Sequence, residues 1–126
     1  MSHPSILIVD DELLIRDLLY DFFNTQGWET IVADSGEKAL DIMESKAVDL
    51  VLSDIRMPGI DGLELTAELR QSHPEIPIVL MTGYPSVDTA VAALRQRVVD
   101  YVTKPFNINK LYKIVAAQLQ VDSDIK

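Results

Sequence analysis

Hydrophobicity along this chain changes period in a regular rhythm, and that rhythm limits the fold more than any single residue does. Short apolar runs at 6–9, 30–33, 50–52, 78–81 and 98–102 are too brief for helices and read as strands. After each comes a longer segment with helical spacing. The first carries Leu14, Leu18 and Phe22 at i, i+4 and i+8, with Gly27 suited to its end. The second opens near Asp34-Ser35 and carries Leu40, Met43 and Ala47. The third starts at Asp61 with Glu64 three residues on, a capping-box pattern, and shows Leu65 and Leu69. Ser86 caps the fourth, with Val87, Val91 and Leu94 on one stripe expected to face the sheet, and Asn107 caps the fifth, with Leu111, Val115 and Leu119.

A strand-helix unit repeated five times is an α/β chain. Strands that are nearly unbroken apolar runs are buried on both faces, which requires a parallel sheet covered by helices on each side. Right-handed crossovers leave few topologies, and the flavodoxin-like doubly wound (βα)5 sandwich, strand order 2-1-3-4-5, is the natural one. In that order strands one and three meet at the switch point, outside whose carboxyl ends ligands bind.

The polar residues at those strand ends carry the chemistry. Asp10 and Asp11 follow the first run, with Glu12 adding a third acid, and Asp54 follows the third. One Asp of the pair suffices to cap the next helix; the remaining acids are oxygen ligands of the kind that suit Mg2+. Asp54 reads either as a turn residue before Pro58-Gly59 or as a nucleophilic carboxylate opposite the acid pair. Thr82 ends the fourth run, as a β-favouring residue or as a hydroxyl donor to an anion. Lys104, held before Pro105, is either a surface cation or the clamp for a phosphoryl group at an acidic site. Tyr101, on the fifth run, reads from its position alone as an aromatic packed against the fourth helix.

Composition removes other classes. A net charge of −9 argues against a surface that grips nucleic acid, and the absence of cysteine excludes disulfides and thiolate metal sites. No segment resembles a secretion signal or a membrane span, so the expected location is cytoplasmic, with no membrane partner. Residues 1–121 read as one domain, and 122–126 as a polar tail or the start of a linker.

The stretches Ile8-Val9-Asp10-Asp11-Glu12, Ser53-Asp54-Ile55-Arg56-Met57-Pro58-Gly59-Ile60-Asp61-Gly62, Met81-Thr82-Gly83-Tyr84 and Asp100-Tyr101-Val102-Thr103-Lys104-Pro105-Phe106 together resemble the receiver domain of two-component response regulators. The wording around Asp54 and from Thr82 to Ala92 is most similar to receivers of the nitrogen-regulation class of transcriptional activators. The resemblance implies that Asp54 is the phosphoacceptor, taking its phosphoryl group from a sensor histidine kinase or phosphotransfer protein. It implies that Asp11, Asp54 and the backbone carbonyl of Arg56 ligate Mg2+, with Asp10 acting through water. It implies that Lys104 pairs with the phosphoryl oxygens, that Thr82 turns inward to them, and that Tyr101 follows. The implied function is a switch rather than a turnover enzyme, assisting only its own phosphorylation and dephosphorylation.

Rival readings are a phosphate-independent module of the same fold, a phosphatase with an aspartyl nucleophile, and a flavin-binding module. The phosphatase needs a second acid two residues after the nucleophile, where Arg56 stands, and the flavin module needs a Gly-Ser-Thr-type loop after the first strand. Two departures from the family pattern matter. Arg97-Val98 replaces a common Gly-Ala, so either another cap ends the fourth helix or Arg97 adopts a left-handed conformation. Bulky Arg56 and Tyr84 beside the phosphoryl position restrict the attacking water and slow loss of the phosphoryl group. The expected output face is the fourth helix, fifth strand and fifth helix, with Asp88, Arg95, Asp100, Lys110 and Lys113 outermost. That face is either a solvated surface or the contact of a phosphorylation-dependent homodimer.

Overall fold

A computed structural model describes residues 3–125; Met1, Ser2 and Lys126, the extreme ends of the expected domain and tail, lie outside the described residues. The expected alternation is present: β1 (Ser5–Val9), α1 (Leu13–Thr25), β2 (Glu29–Ala33), α2 (Gly36–Ser45), β3 (Leu50–Asp54), α3 (Gly62–Ser72), β4 (Ile78–Thr82), α4 (Val87–Arg95), β5 (Asp100–Thr103) and α5 (Ile108–Gln118). The strands form one parallel sheet in the order β2-β1-β3-β4-β5.

Burial follows from position in that order. β1, β3 and β4 are buried at every residue, whereas the edge strands β2 and β5 are partly open. Alternate side chains feed two cores, as the pleat requires. Leu7, Val9, Val51, Ile78 and Leu80 meet Ala39, Met43, Leu65, Leu69 and Ala93 from α2, α3 and α4. Ile6, Ile8, Leu50, Leu52, Val79 and Met81 meet Leu19 and Phe23 of α1 and Leu111, Tyr112 and Val115 of α5. In that second core Trp28 donates its indole N–H to the Tyr112 hydroxyl at 3.2 Å, so the two largest polar-tipped rings satisfy each other.

The caps act where the sequence places them. Ser35, Asp61, Ser86 and Asn107 each accept an amide hydrogen in the first turn of α2, α3, α4 and α5. Gly27, just beyond the end of α1, has φ +90°, a conformation that disfavours residues with a Cβ.

Four expectations are corrected. In α1 Leu19 and Phe23 are buried in the core and the expected Phe22 packs against it, while Leu14 and Leu18 face solvent. Ala47 lies beyond the end of α2 and is exposed. In α4 the expected inner stripe faces out: Val87 is 78 % and Leu94 74 % exposed, and Val91 also lies at the surface. The inner face is instead half-buried Thr89 with buried Ala93. Apolar character predicts burial in one direction only.

β5 also begins at Asp100 rather than at residue 98. The two residues before it belong to the turn that ends α4, where Arg97 takes φ +59° and the Val98 amide donates to the Ala93 carbonyl at 3.3 Å. The left-handed option for Arg97 is the one adopted. Arg70 of α3 steadies this corner by donating to the carbonyls of Ile76, Gln96 and Arg97.

Candidate functional site

The carboxyl ends of β1, β3, β4 and β5 open onto one cleft. Backbone bonds carry the ladder one step past the strands: the amide of Asp10 donates to the Ala33 carbonyl, that of Ile55 to Met81, and that of Lys104 to Thr82. These bonds fix the positions of Asp10, Asp54 and Lys104 by main-chain register. Gly62 then allows the start of α3 to sit against the end of β3. A Cβ there would strike the Asp54 carbonyl oxygen, and the Gly62 amide donates to the Ile55 carbonyl at 2.8 Å.

Asp10 is fully buried and its carboxylate is satisfied on both oxygens. Oδ1 accepts from the Glu12 amide at 2.9 Å, at the head of α1, and Oδ2 accepts from Lys104 Nζ at 2.8 Å. The cap reading of the acid pair is corrected, because the N-cap of α1 is Glu12 and no side chain caps it; the Asp10 carboxylate instead ties the turn before the helix and faces the cleft. Its backbone carbonyl accepts from the Arg16 guanidinium at 2.8 Å. Lys104 Nζ lies 3.4 Å from Asp54 Oδ2 and 3.6 Å from Glu12 Oε1, so one ammonium serves three carboxylates.

That imbalance shows in the proton affinities. Burial, with the Asp10 charge beside it, pushes the Asp54 carboxyl up from 3.8 to about 6, against the opposing pull of Lys104. For Lys104, burial acts to lower the pKa, but its bond to Asp10 and the charges of Asp10, Asp54 and Glu12 outweigh that and hold it above the usual lysine value.

Oxygen atoms of Asp10, Glu12 and Asp54 lie within 4.8 Å of one another. Asp11 is exposed and lines the same cavity of about 230 Å³, together with Glu12, Asp54, Arg56, Gly83, Tyr84 and Lys104. A set of hard oxygen donors on flexible carboxylates fits a small divalent cation such as Mg2+. Sequence reasoning counted Glu12 as an acid without giving it a place in the cluster, and missed Arg16. A third acid in the run Asp10-Asp11-Glu12 was the available signal for the first; nothing local announces the second.

Thr82 is buried, and its hydroxyl oxygen accepts from the Tyr84 amide at 3.0 Å, which leaves its own proton to donate. Tyr101 is half-buried against the core beneath α4, and its hydroxyl sits 2.7 Å from Thr89 Oγ1 and accepts from the Ser86 amide at 3.2 Å. Packing is therefore part of its role, and a polar tie to the first turn of α4 is the other part. The Arg56 guanidinium lies over the Tyr84 ring, 4.9 Å from its centre, so the two side chains stack across the mouth of the cavity.

Among the described residues no helix is long and apolar enough to cross a membrane. A family model described as "Response regulator receiver domain" matches residues 6–116. The regulatory protein AtoC of Escherichia coli is 46 % identical over 118 residues, which cover 94 % of this chain and 26 % of that protein. The DNA-binding transcriptional regulator NtrC of Klebsiella pneumoniae is 41 % identical over 86 % of this chain and 23 % of its own length. The chain thus spans about a quarter of the length of these relatives. Among solved structures, the response regulator protein TrrA from Thermotoga maritima, in complex with Mg(2+)-BeF, superposes with a TM-score of 0.83. It is 37 % identical, over 91 % of this chain and 98 % of that one. A CheY-like receiver domain protein from Methanospirillum hungatei gives 0.91 at 29 % identity, over 94 % and 95 %.

Proposed function

This chain belongs to the response regulator receiver domain family, and on that premise we propose that it is a switch thrown by phosphorylation of Asp54. The observation that carries the reading is the convergence of Asp10, Asp54 and Lys104 in one cleft, with the Lys104 ammonium 2.8 Å from one carboxylate and 3.4 Å from the other. The donor is a sensor histidine kinase or phosphotransfer protein. An Asp54 oxygen forms the new bond to phosphorus as the bond from phosphorus to the histidine nitrogen breaks. The electron pair stays with the imidazole, which leaves as the neutral base or takes up a proton from solvent.

Phosphoryl transfer through a loose transition state demands positioning and charge neutralisation more than proton transfer. Asp10, Asp11, Asp54 and the Arg56 backbone carbonyl are the residues to hold Mg2+, which when bound neutralises charge on the phosphoryl oxygens. Lys104 is already between the carboxylates and turns from Asp54 to the new phosphoryl oxygens. Thr82 donates its free proton to the same group and draws away from the Tyr84 amide. Tyr101, tied to Ser86 and Thr89, passes that shift to α4. The readout is the α4–β5–α5 face, acting on an output domain or through a phosphorylation-dependent homodimer. Residues 1–121 form the receiver, 122–126 are a polar tail or the start of a linker, and the protein works in the cytoplasm without contacting nucleic acid through this domain.

The test is intact mass after incubation with acetyl phosphate and Mg2+, wild type beside Asp54→Ala. The expected gain is one phosphoryl group, about 80 Da, absent from the variant and absent with EDTA. A wild type that gains nothing from acetyl phosphate or from any phosphohistidine donor overturns the reading.

A further inference from the structure

At the opposite end of the sheet from the cleft, Arg70 and Arg97 line a cavity of about 210 Å³. It lies beside Pro77, just before β4, and Val99, just before β5, and Gln118 at the end of α5 also lines it. Its charged groups are the two guanidiniums and the Glu75 carboxylate, so positive charge is in excess there, in a chain whose net charge is −9.

The two arginines are held differently. Arg70 is half-buried and donates from Nη1 to the Ile76 carbonyl at 2.7 Å, from Nε to that of Gln96 at 2.8 Å and from Nη2 to that of Arg97 at 3.2 Å. Three bonds fix the plane of the fork, and the guanidinium still has N–H groups to spare. Arg97 is exposed, and its side chain forms no hydrogen bond or ion pair among the described residues. Yet it stands at φ +59°, where glycine fits without strain. A strained residue whose side chain ties down nothing in the fold points to another use, because such strain gathers where ligands are clamped. Burial and the Arg97 charge nearby lower the Arg70 pKa, and Glu75 opposes them only in part.

We propose that the Arg70–Arg97 cavity binds a small doubly charged oxyanion of the phosphate class, held between the fixed Arg70 fork and the unpaired Arg97 guanidinium. Guanidiniums match such oxyanions with paired N–H···O bonds, and two of them balance a dianion. The Gln118 amide supplies a further donor, while Glu75 disfavours the same ligand. The bound anion joins α3 to the turn that ends α4, and its binding needs neither Asp54 nor Mg2+.

The experiment is a titration of the 15N-labelled chain with inorganic phosphate, sulfate and glycerol 3-phosphate in EDTA, with sodium chloride at matched ionic strength as control. Backbone amide and arginine Nε–H resonances are followed, and those of Gly83 and Tyr84 report separately on the Asp54 cleft. The expected result is a saturable shift at Arg70 Nε–H and at the amides of Ile76, Arg97, Val98 and Val99. Arg97→Gly, which removes the cation and the strain together, is expected to weaken binding about tenfold. Glu75→Gln is expected to tighten it about twofold, a change that a purely structural role of the arginines does not produce. Glycerol 3-phosphate separates the sources: tighter binding than phosphate assigns the site to phosphomonoesters, and equal or weaker binding assigns it to the free anion. Shifts that chloride reproduces, that do not saturate or that are confined to the cleft overturn the site. An Arg97→Gly chain that binds like wild type overturns the two-arginine clamp.

Discussion

Replacing Asp54 by Asn is expected to stabilise the metal-free protein, by an amount that grows with pH. The Asp54 carboxyl is buried beside Asp10, and its pKa rises from 3.8 to about 6 in the fold. A carboxyl with a raised native pKa favours the folded state only while protonated. Its stabilising protonation is complete below the unfolded value near 3.8 and is lost as pH climbs through the folded value near 6. At about 1.36 kcal/mol per pKa unit, the whole difference comes to on the order of 3 kcal/mol. By the same linkage relation roughly half of it is already lost at pH 5, and nearly all of it by pH 7.5.

Asn resembles the protonated acid in shape, and Lys104 keeps its 2.8 Å partner Asp10, so the substitution removes the charge with little else disturbed. Urea unfolding of both proteins in EDTA at pH 5, 6 and 7.5 measures the gap directly. The expected course is a gap in favour of Asp54→Asn that roughly doubles from pH 5 to 7.5. Mg2+ then narrows it at pH 7.5, because a ligand that binds only the native wild type stabilises by mass action. A gap independent of pH, or an Asn variant less stable at pH 7.5, would refute the claim that burial and Asp10 together outweigh the Lys104 contact.

Other substitutions test the supports around the cleft. Arg97→Gly is expected to gain about 0.5–1 kcal/mol in urea unfolding, because Gly meets the positive φ without strain, whereas Arg97→Ala keeps the strain and gains nothing comparable. Gly62→Ala is expected to lower stability by at least about 2 kcal/mol, since the added methyl strikes the Asp54 backbone, and to slow phosphorylation measured by mass. Tyr84→Ala is expected to shorten the lifetime of the phosphorylated chain by removing half of the Arg56–Tyr84 stack over the cavity. Phosphate release after removal of the donor measures this, and a wild-type lifetime of only seconds would show that the stack offers no such protection.

The elements were legible because burial and periodicity agree in the middle of this sheet. β1, β3 and β4 are covered on both faces, so their sequences are apolar throughout and their polar ends mark where the cleft must be. Asp10, Asp54 and Thr82 were readable for that reason, whereas Lys104 follows the partly buried edge strand β5 and was marked by its place before Pro105. Agreement fails at the edge. β5 is only partly buried, and α4 rests on Thr89 and Ala93, so the larger apolar residues of α4 were free to face outward. Pattern alone cannot distinguish a stripe bound for the core from one left at the surface, since both are written in Val and Leu. Arg16 and Arg70 escaped notice because each acts on a carbonyl, and a carbonyl carries no side-chain signature.

The cleft and α4 differ in how they are held, and the difference makes one suited to drive the other. The cleft residues are set by main-chain ladder bonds and lie within the most buried part of the sheet, so a charge added there meets rigid partners. The first turn of α4 is held to β5 through the Tyr101 hydroxyl with Ser86 and Thr89, and its last turn through Arg70 bonding the carbonyls of Gln96 and Arg97. The neutral bonds of Tyr101 contribute on the order of 1 kcal/mol each, whereas the guanidinium bonds of Arg70 and a charge-assisted bond to a phosphoryl oxygen each contribute about 1.5–3 kcal/mol. On the proposed function, one bond gained by Thr82 at the cleft is comparable to the Tyr101 tie that holds the first turn of α4, and not to all four ties together. No comparable change is open to α3, which anchors Leu65 and Leu69 in the core and abuts the end of β3 at Gly62.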